Sequence, residues 1–460
     1  MAEFTIEEVS QAVGNNLNRM APCDSAVRFT GVSTDTRSIH PGDLFVALIG
    51  ERFDGHNFIT QAVQKGAAGV LVSKAVIADM DEAAPCVVIT VQNTLAALQQ
   101  LAKFHRSRYS IPVIAVTGSN GKTTTKDMTA AVLSRKYKVL KTEANYNNEI
   151  GLPLTLLQLT SVHEAAVVEM GMRGLGEIKE LAGIALPNMA IVTNVGETHL
   201  ELLGSLENIA AAKSELVESI PPEGVVVLNG DNHYVRQMGG RTKARLVTYG
   251  LTPDSAVWAD NIGISNNKEM VFACHCLQET FPVSVPTVGR HNVYNALAAV
   301  AVGCALGLNA QEIREGLSTF QASGMRLHIE KKAGYTLIND AYNASPMSMA
   351  AAIATLAEIA GGRKVAVLGD MLELGNVAET AHRHIGELLA RYKVDIVITV
   401  GRLAGSIADA AQAGGVKTVI ACENHAQAME ELRQLMDSDD TILIKGSRGM
   451  KMEKIAEIFG

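Results

Sequence analysis

Residues Val113–Thr125 read VIAVTGSNGKTTT, an apolar, β-branched run that passes through a glycine-containing turn into the start of a helix. Gly118 and Gly121, with Ser119 and Asn120 between them, let backbone amides approach phosphate oxygens. Lys122 adds a point charge for the terminal phosphates, the Thr123 hydroxyl can ligate Mg²⁺, and Thr124 follows in the first helical turn. The general phosphate-loop pattern has another glycine six residues before the lysine, where this chain has Val116, so the loop is a shortened form. A tight turn that merely needs glycine is the alternative. Strand, loop, GKT and helix in this order favour a bound nucleotide.

Working outward, Ile114–Thr117, Val139–Lys141, Ala166–Glu169, Ala190–Asn194 and Val225–Asn229 are strand-like, with helical periodicity at Met128–Leu133 and Ile209–Val217. Strand, crossover helix, strand is the pattern of an open parallel sheet covered on both faces. Between Val257 and Val288 strands follow one another without helices, which predicts a small antiparallel appendage before a long apolar helix near Asn292. Upstream, Leu44–Leu48, Val70–Val72 and Val87–Thr90, with a helical stretch near Phe58–Lys65, suggest a small α/β domain. Downstream of Gly324, Thr336–Asn339, Lys364–Leu368, Asp395–Val400, Thr418–Ile420 and Thr441–Ile444 predict a second open α/β sheet of Rossmann-like type. A chain of 460 residues, at ~100–200 residues per domain, accommodates three α/β domains. We place them at 1–85, 86–323 and 324–460.

With 47 % apolar and 19 % charged residues, the chain is too apolar to remain disordered. Its longest apolar run, Ala296–Leu308, falls short of the ~20 residues needed to span a bilayer, so no membrane insertion is expected. The net charge of −8 provides no global field for nucleic acid, so any phosphate binding must be local. The opening MAEFTIEEVS is acidic where a signal peptide would be basic, which predicts a cytoplasmic protein. Six scattered cysteines form no C-x-x-C pair. The one cluster, Cys274–His275–Cys276, reads as strand packing with both sulfurs on one face.

Ligands of an open parallel sheet gather beyond the carboxyl ends of its strands. Glu169 closes an apolar strand there, and a carboxylate so placed calls for a cation: Mg²⁺ beside a triphosphate, or a surface ion pair. Beyond the next strand, His199 is a metal ligand, a phosphate donor or a plain loop histidine. Lys213, among small helical residues, is functional or simply solvated. Asn292 and Asn295 share a helix face and could meet an adenine edge, with helix capping as the alternative for Asn292.

Thr117–Thr124 (TGSNGKTT), Val168–Gly171 (VEMG), Asn194–Leu200 (NVGETHL) with Lys213, Gly289–Asn295 (GRHNVYN) and Asn339–Met349 (NDAYNASPMSM) together resemble the Mur ligase family, which uses this shorter phosphate loop. Ser33–Arg37 (STDTR), Pro41–Ala47 (PGDLFVA) and Phe53–Phe58 (FDGHNF) resemble its uridine-nucleotide domain. Ala341-Tyr342-Asn343-Ala344 stands where relatives that add single amino acids, and folylpolyglutamate synthetase, tend to have Ala-His-x-Pro. Val367–Gly375 (VLGDMLELG) and Lys445–Met450 (KGSRGM) also resemble the branch that adds a dipeptide.

The resemblance implies three domains that bind the UDP moiety, ATP and the incoming amine, and that act as a monomer. The implied reaction joins D-Ala-D-Ala to UDP-MurNAc-tripeptide, for peptidoglycan, with ATP and two Mg²⁺ and through an acyl phosphate. It assigns Lys122, Glu169, His199 and Lys213 to catalysis. Thr123, Glu169, His199 and Lys213, the last carbamylated by CO₂, would hold the metals. Gly118 to Thr124, Asn292, Asn295, Arg326 and Asp340 would bind the nucleotide, the last two on domain closure. Ser33, Asp35, Arg37, Asp54, Gly55 and His56 would face the uridine nucleotide, and Asn147 and Asn148 the muramoyl portion unless they only shape a turn. Tyr342, Asn343, Ser345, Lys445, Ser447 and Arg448 would surround the amine. The alternatives are a sister ligase with a different amine, folylpolyglutamate synthetase among them, or a non-ligase nucleotide switch. A guanine-specific switch usually carries Asn-Lys-x-Asp, which is absent here.

Overall fold

The structure is a computed structural model that describes residues 2–14, 18–20, 27–50, 53–73, 86–266, 268–276, 278–332 and 334–459. Cys23 and residue 85, the last of the expected N-terminal domain, lie outside the described residues.

The central sheet has nine strands. From one edge they are Glu279–Val285, Met270–Cys276, Val257–Ile264, Arg245–Gly250, Val225–Asn229, Met189–Val192, Val113–Thr117, Ala165–Glu169 and Val139–Lys141. The chain runs outward from Val113–Thr117 to one side, returns through Ala165–Glu169, and then crosses to Met189–Val192 on the other side, so the phosphate-loop strand lies where the order reverses. Loops diverge at such a point and leave a crevice for a ligand. Every residue of Val113–Thr117 and Ala165–Glu169 is buried, as a parallel sheet packed on both faces requires. One face packs on the helices Thr94–Ser107, Glu177–Ala185 and Leu206–Glu218, and the other on Lys122–Leu133 and His291–Ala305.

Two expectations need correction. The strands after Val257 are no separate appendage: Val257–Ile264 pairs in parallel with Arg245–Gly250, and the next two strands extend the same sheet antiparallel. Arg245–Gly250, a strand that the sequence pattern does not reveal because of its polar start, bridges the two parts. The boundary at 85/86 also divides a sheet, because Val87–Val91 pairs with Gly69–Ser73 and with Asn18–Met20. A fully buried five-residue run satisfies its backbone groups only in such a ladder. Helix Thr94–Ser107, capped by Asn93, then packs on the central domain.

In the C-terminal domain the strand order is His328–Lys332, Tyr335–Asp340, Asp440–Lys445, Lys364–Gly369, Ile396–Val400 and Thr418–Cys422, parallel except for the first. The opening hairpin strand, His328–Lys332, is likewise not evident from the sequence pattern. Cys274 and Cys276 are buried on one face of their strand, and His275 stacks on Trp258 with centroids 3.7 Å apart. Among the described residues no cluster of three or more His, Cys, Asp or Glu side chains is arranged to hold a metal, and no helix is long and apolar enough to cross a membrane.

Candidate active site

Helix Lys122–Leu133 begins at Gly121, whose φ of +80° is left-handed, and no side chain caps it. Its first amides are therefore free to bind an anion. Glycine is required at both loop positions. A Cβ on Gly118 (φ +147°) would lie 1.9 Å from Thr193 Oγ1, and one on Gly121 2.6 Å from Asn295 Oδ1. The next strand's loop fixes the turn: Asn194 Oδ1 accepts from the Asn120 amide at 2.9 Å, Asn194 Nδ2 and Thr193 Oγ1 both donate to the Asn120 carbonyl, and Ser119 exchanges hydrogen bonds with Gly196. Lys122 Nζ folds back on the carbonyls of Gly118 (2.8 Å) and Ser119 (3.3 Å). Burial pushes its ammonium below the usual lysine range; Glu169 opposes the shift and Arg326 adds to it.

Glu169 is 1 % exposed, and both its oxygens are oriented. Thr123 Oγ1 donates to Oε2 at 2.7 Å and Asn147 Nδ2 to Oε1 at 2.7 Å. Lys213, in helix Leu206–Glu218, is 2 % exposed and makes no hydrogen bond or ion pair with the described residues. Burial, with Lys122 nearby, depresses its amine well below the lysine range. An unpaired buried ammonium is costly, which is the physical cause of that shift. His199 takes a left-handed conformation, φ +55°. Burial lowers its basicity, as do Lys122 and Lys213, against the pull of Glu373. The buried Thr198 hydroxyl beside it has no hydrogen-bond partner among the described residues.

These groups line one cavity of about 1200 Å³ between the central and C-terminal domains. Asn147, Asn148, Asn292, Asn295, Arg326, Asp340, Tyr342, Asn343, Ser345, Lys445, Ser447 and Arg448 line it too, as do Ser119 to Lys122 and Thr124. Thr123 and Gly118 lie behind this lining, Thr123 turned toward Glu169. Ser33, Asp35, Arg37, Asp54, Gly55 and His56 are elsewhere, in the N-terminal domain. There Arg37 pairs with Asp35 and faces solvent within electrostatic reach of Tyr146, next to the cavity's Asn145–Asn148 edge.

Several expected contacts are spent on the protein itself. His56 donates from Nδ1 to Asp54 at 2.6 Å and accepts the Ser73 amide on Nε2, so both ring nitrogens are used, and Ser33 Oγ bonds to Asp35. Asn148 accepts the Gly151 amide. Asn292 does not cap its helix; it donates to Val288 and Thr287 and accepts from Asn295, whose own oxygen takes the Thr125 hydroxyl. Asn295 keeps a second amide N–H, and both oxygens a second lone pair, beyond these bonds. Asp340 pairs with Lys445 at 2.5 Å and Arg326 stacks on Tyr342 at 3.8 Å. The cavity also contains residues that sequence reasoning does not single out: His291, Glu373, and Asp231, which accepts from Tyr294 at 3.0 Å. His291 and Tyr294 lie inside the quoted GRHNVYN segment and Glu373 inside VLGDMLELG, whereas Asp231 lies in none of the quoted segments.

Comparison with known proteins agrees with this architecture. Residues 28–106 match the Mur ligase family catalytic domain, 116–303 the Mur ligase middle domain, and 325–448 the Mur ligase glutamate ligase domain. A UDP-N-acetylmuramoyl-tripeptide–D-alanyl-D-alanine ligase from Bacillus subtilis is 41 % identical, covering 99 % of this chain and 98 % of its own length. The crystal structure of MurF from Acinetobacter baumannii superposes with a TM-score of 0.90 at 32 % identity, covering 100 % of this chain and 99 % of that one. MurF from Thermotoga maritima, solved in complex with ADP, gives a TM-score of 0.83 at 28 % identity over 93 % of this chain and 96 % of its own. With three domain matches in order and relatives matched end to end around a phosphate-loop cavity, the chain belongs to the Mur ligase family.

Proposed function

We propose that this chain is an ATP-dependent amide ligase that joins D-Ala-D-Ala to UDP-MurNAc-tripeptide, releasing ADP and phosphate, in the cytoplasmic assembly of the peptidoglycan precursor. The observation that carries this reading is the end-to-end similarity to a ligase named for that reaction, and the chemistry of the cavity supports it.

A carboxylate is a poor electrophile, so the tripeptide's terminal carboxylate first attacks the γ-phosphate of ATP. The acyl phosphate is then opened by the dipeptide amine, with phosphate as the leaving group. In the first step two anions meet; at ~4 Å they repel by about 4 kcal/mol at an effective dielectric near 20. Lys122 turns from the loop carbonyls to the transferring phosphoryl group, and the helix amides after Gly121 bind its oxygens.

The donor set fits Mg²⁺, which takes one or two carboxylates plus substrate phosphates rather than an all-protein cage. Thr123 and Glu169 would hold one ion, and His199 with carbamylated Lys213 the other. The metal supplies charge neutralisation at the phosphoryl oxygens. The buried Lys213 amine, whose proton burial disfavours, fits this role: in the deprotonated form its nitrogen lone pair attacks CO₂, an N–C bond forms, a carbonyl electron pair moves to oxygen and the nitrogen proton leaves to solvent. A buried amine thereby becomes an anionic ligand.

Purified protein given ATP, UDP-MurNAc-tripeptide and candidate amines tests the reading. Phosphate release that requires D-Ala-D-Ala, with a product extended by both alanines, is expected. Release supported by a free amino acid points to a sister ligase, and hydrolysis indifferent to every peptide substrate overturns the ligase reading.

A further inference from the structure

The expected catalytic groups all come from the central domain, yet His199 is met by a carboxylate from the C-terminal one. Glu373 Oε2 lies 2.6 Å from His199 Nδ1, at ion-pair distance though off the line of a hydrogen bond, and both residues line the cavity.

The loop that presents Glu373 is fixed to its own domain. Asp370 accepts the Ala404 amide, the Met371 amide donates to His382 Nε2, and the Leu372 amide donates to Ser447 Oγ. Glu373 then adopts φ +63°, a conformation costly for a residue with a Cβ. Its carbonyl accepts the Glu201 amide across the domain interface at 3.1 Å. Gly375, at φ +58°, lies where a Cβ would sit 3.3 Å from Glu201 Cα. Two left-handed non-glycine residues therefore face each other across the interface, held there by backbone contacts on either side. Such strain persists only where the surroundings fix it.

We infer that Glu373 is a positioning residue: by engaging Nδ1 of His199 when the domains are together, it aims Nε2 into the cavity and makes completion of the site depend on closure. A partner at one imidazole nitrogen sets the tautomer and aim of the other. This rests on the ligase reading above.

Glu373→Ala, Glu373→Gln and His199→Ala, singly and with Glu373→Ala combined with His199→Ala, test it. Glu373→Ala is expected to lower kcat by ~10–100-fold, the range for outer partners of a ligand histidine, with KM for ATP within twofold because the phosphate loop is untouched. Glu373→Gln, which keeps an acceptor oxygen, should recover most of the loss. In the His199→Ala background, Glu373→Ala should cost less than twofold more. In ¹⁵N-histidine-labelled protein with a non-hydrolysable ATP analogue, the signals absent from His199→Ala should show a proton on Nδ1 in the wild type and lose that pattern in Glu373→Ala. Multiplicative losses in the double variant, or an unchanged His199 signal, overturn the inference. A wild type inactive with D-Ala-D-Ala overturns the function proposed above, while the histidine spectrum still reports on the contact.

Discussion

Ser345 Oγ donates to Asn120 Oδ1 at 2.9 Å, so a C-terminal-domain residue touches the middle of the phosphate loop. Ser345 also caps helix Pro346–Ile359 in a capping box with Ser348. The phosphate loop and the amine-side helix are thereby joined through one hydroxyl, and Met347 closes over Gly196 beside it.

Ser345→Ala should therefore act in two ways. Losing the cap should destabilise the protein by about 1 kcal/mol, read in urea denaturation. Losing the bond to Asn120 should lower turnover by more than that change in stability explains. A variant of unchanged kcat would show that the contact does not support closure.

If Lys213 carries the proposed carbamate, Lys213→Ala should abolish activity by removing that anionic ligand. Short-chain carboxylic acids added to the variant should restore part of it. In the wild type, ¹³C-bicarbonate should give a carbamate carbonyl resonance that the variant lacks. Full activity of Lys213→Ala would refute the role.

Asn147 lines the cavity and also orients Glu169, which gives its removal a second effect to measure. Asn147→Ala should weaken Mg²⁺ dependence ~10–100-fold, measured as the Mg²⁺ concentration for half-maximal phosphate release. KM for the UDP-substrate should change little. The opposite pattern would indicate a direct substrate contact.

His291 has its pKa pushed down to about 4 by burial, with Asp340 pulling upward and Lys445 downward. An unfolded histidine titrates near 6.5, so between roughly pH 6.5 and 4 the unfolded chain binds a proton that the folded one refuses. This group's contribution to stability is complete above pH 6.5 and is lost as pH falls toward 4, by up to about 3 kcal/mol. The urea midpoint of His291→Gln should fall less over that window than the wild type's.

The sequence alone determined the phosphate loop, because strand, glycines, lysine and helix start are contiguous and each has a local physical requirement. Glu169 was legible for the same reason: a carboxylate that closes an apolar strand is costly unless a cation meets it. The parallel cores of the central and C-terminal domains could be read from alternating periodicity, but Arg245–Gly250 and His328–Lys332 could not, since their partly exposed faces blur that pattern. Only the tertiary structure decided how the polar groups are spent. His56, Asn147, Asn148 and Asn292 look like ligand contacts in sequence, yet their partners include backbone groups and a carboxylate that a string of letters does not place. The meeting of His199 with Glu373, and of Asn120 with Ser345, likewise depends on how two different sheets dock, and docking is set by whole surfaces rather than by any local run of residues.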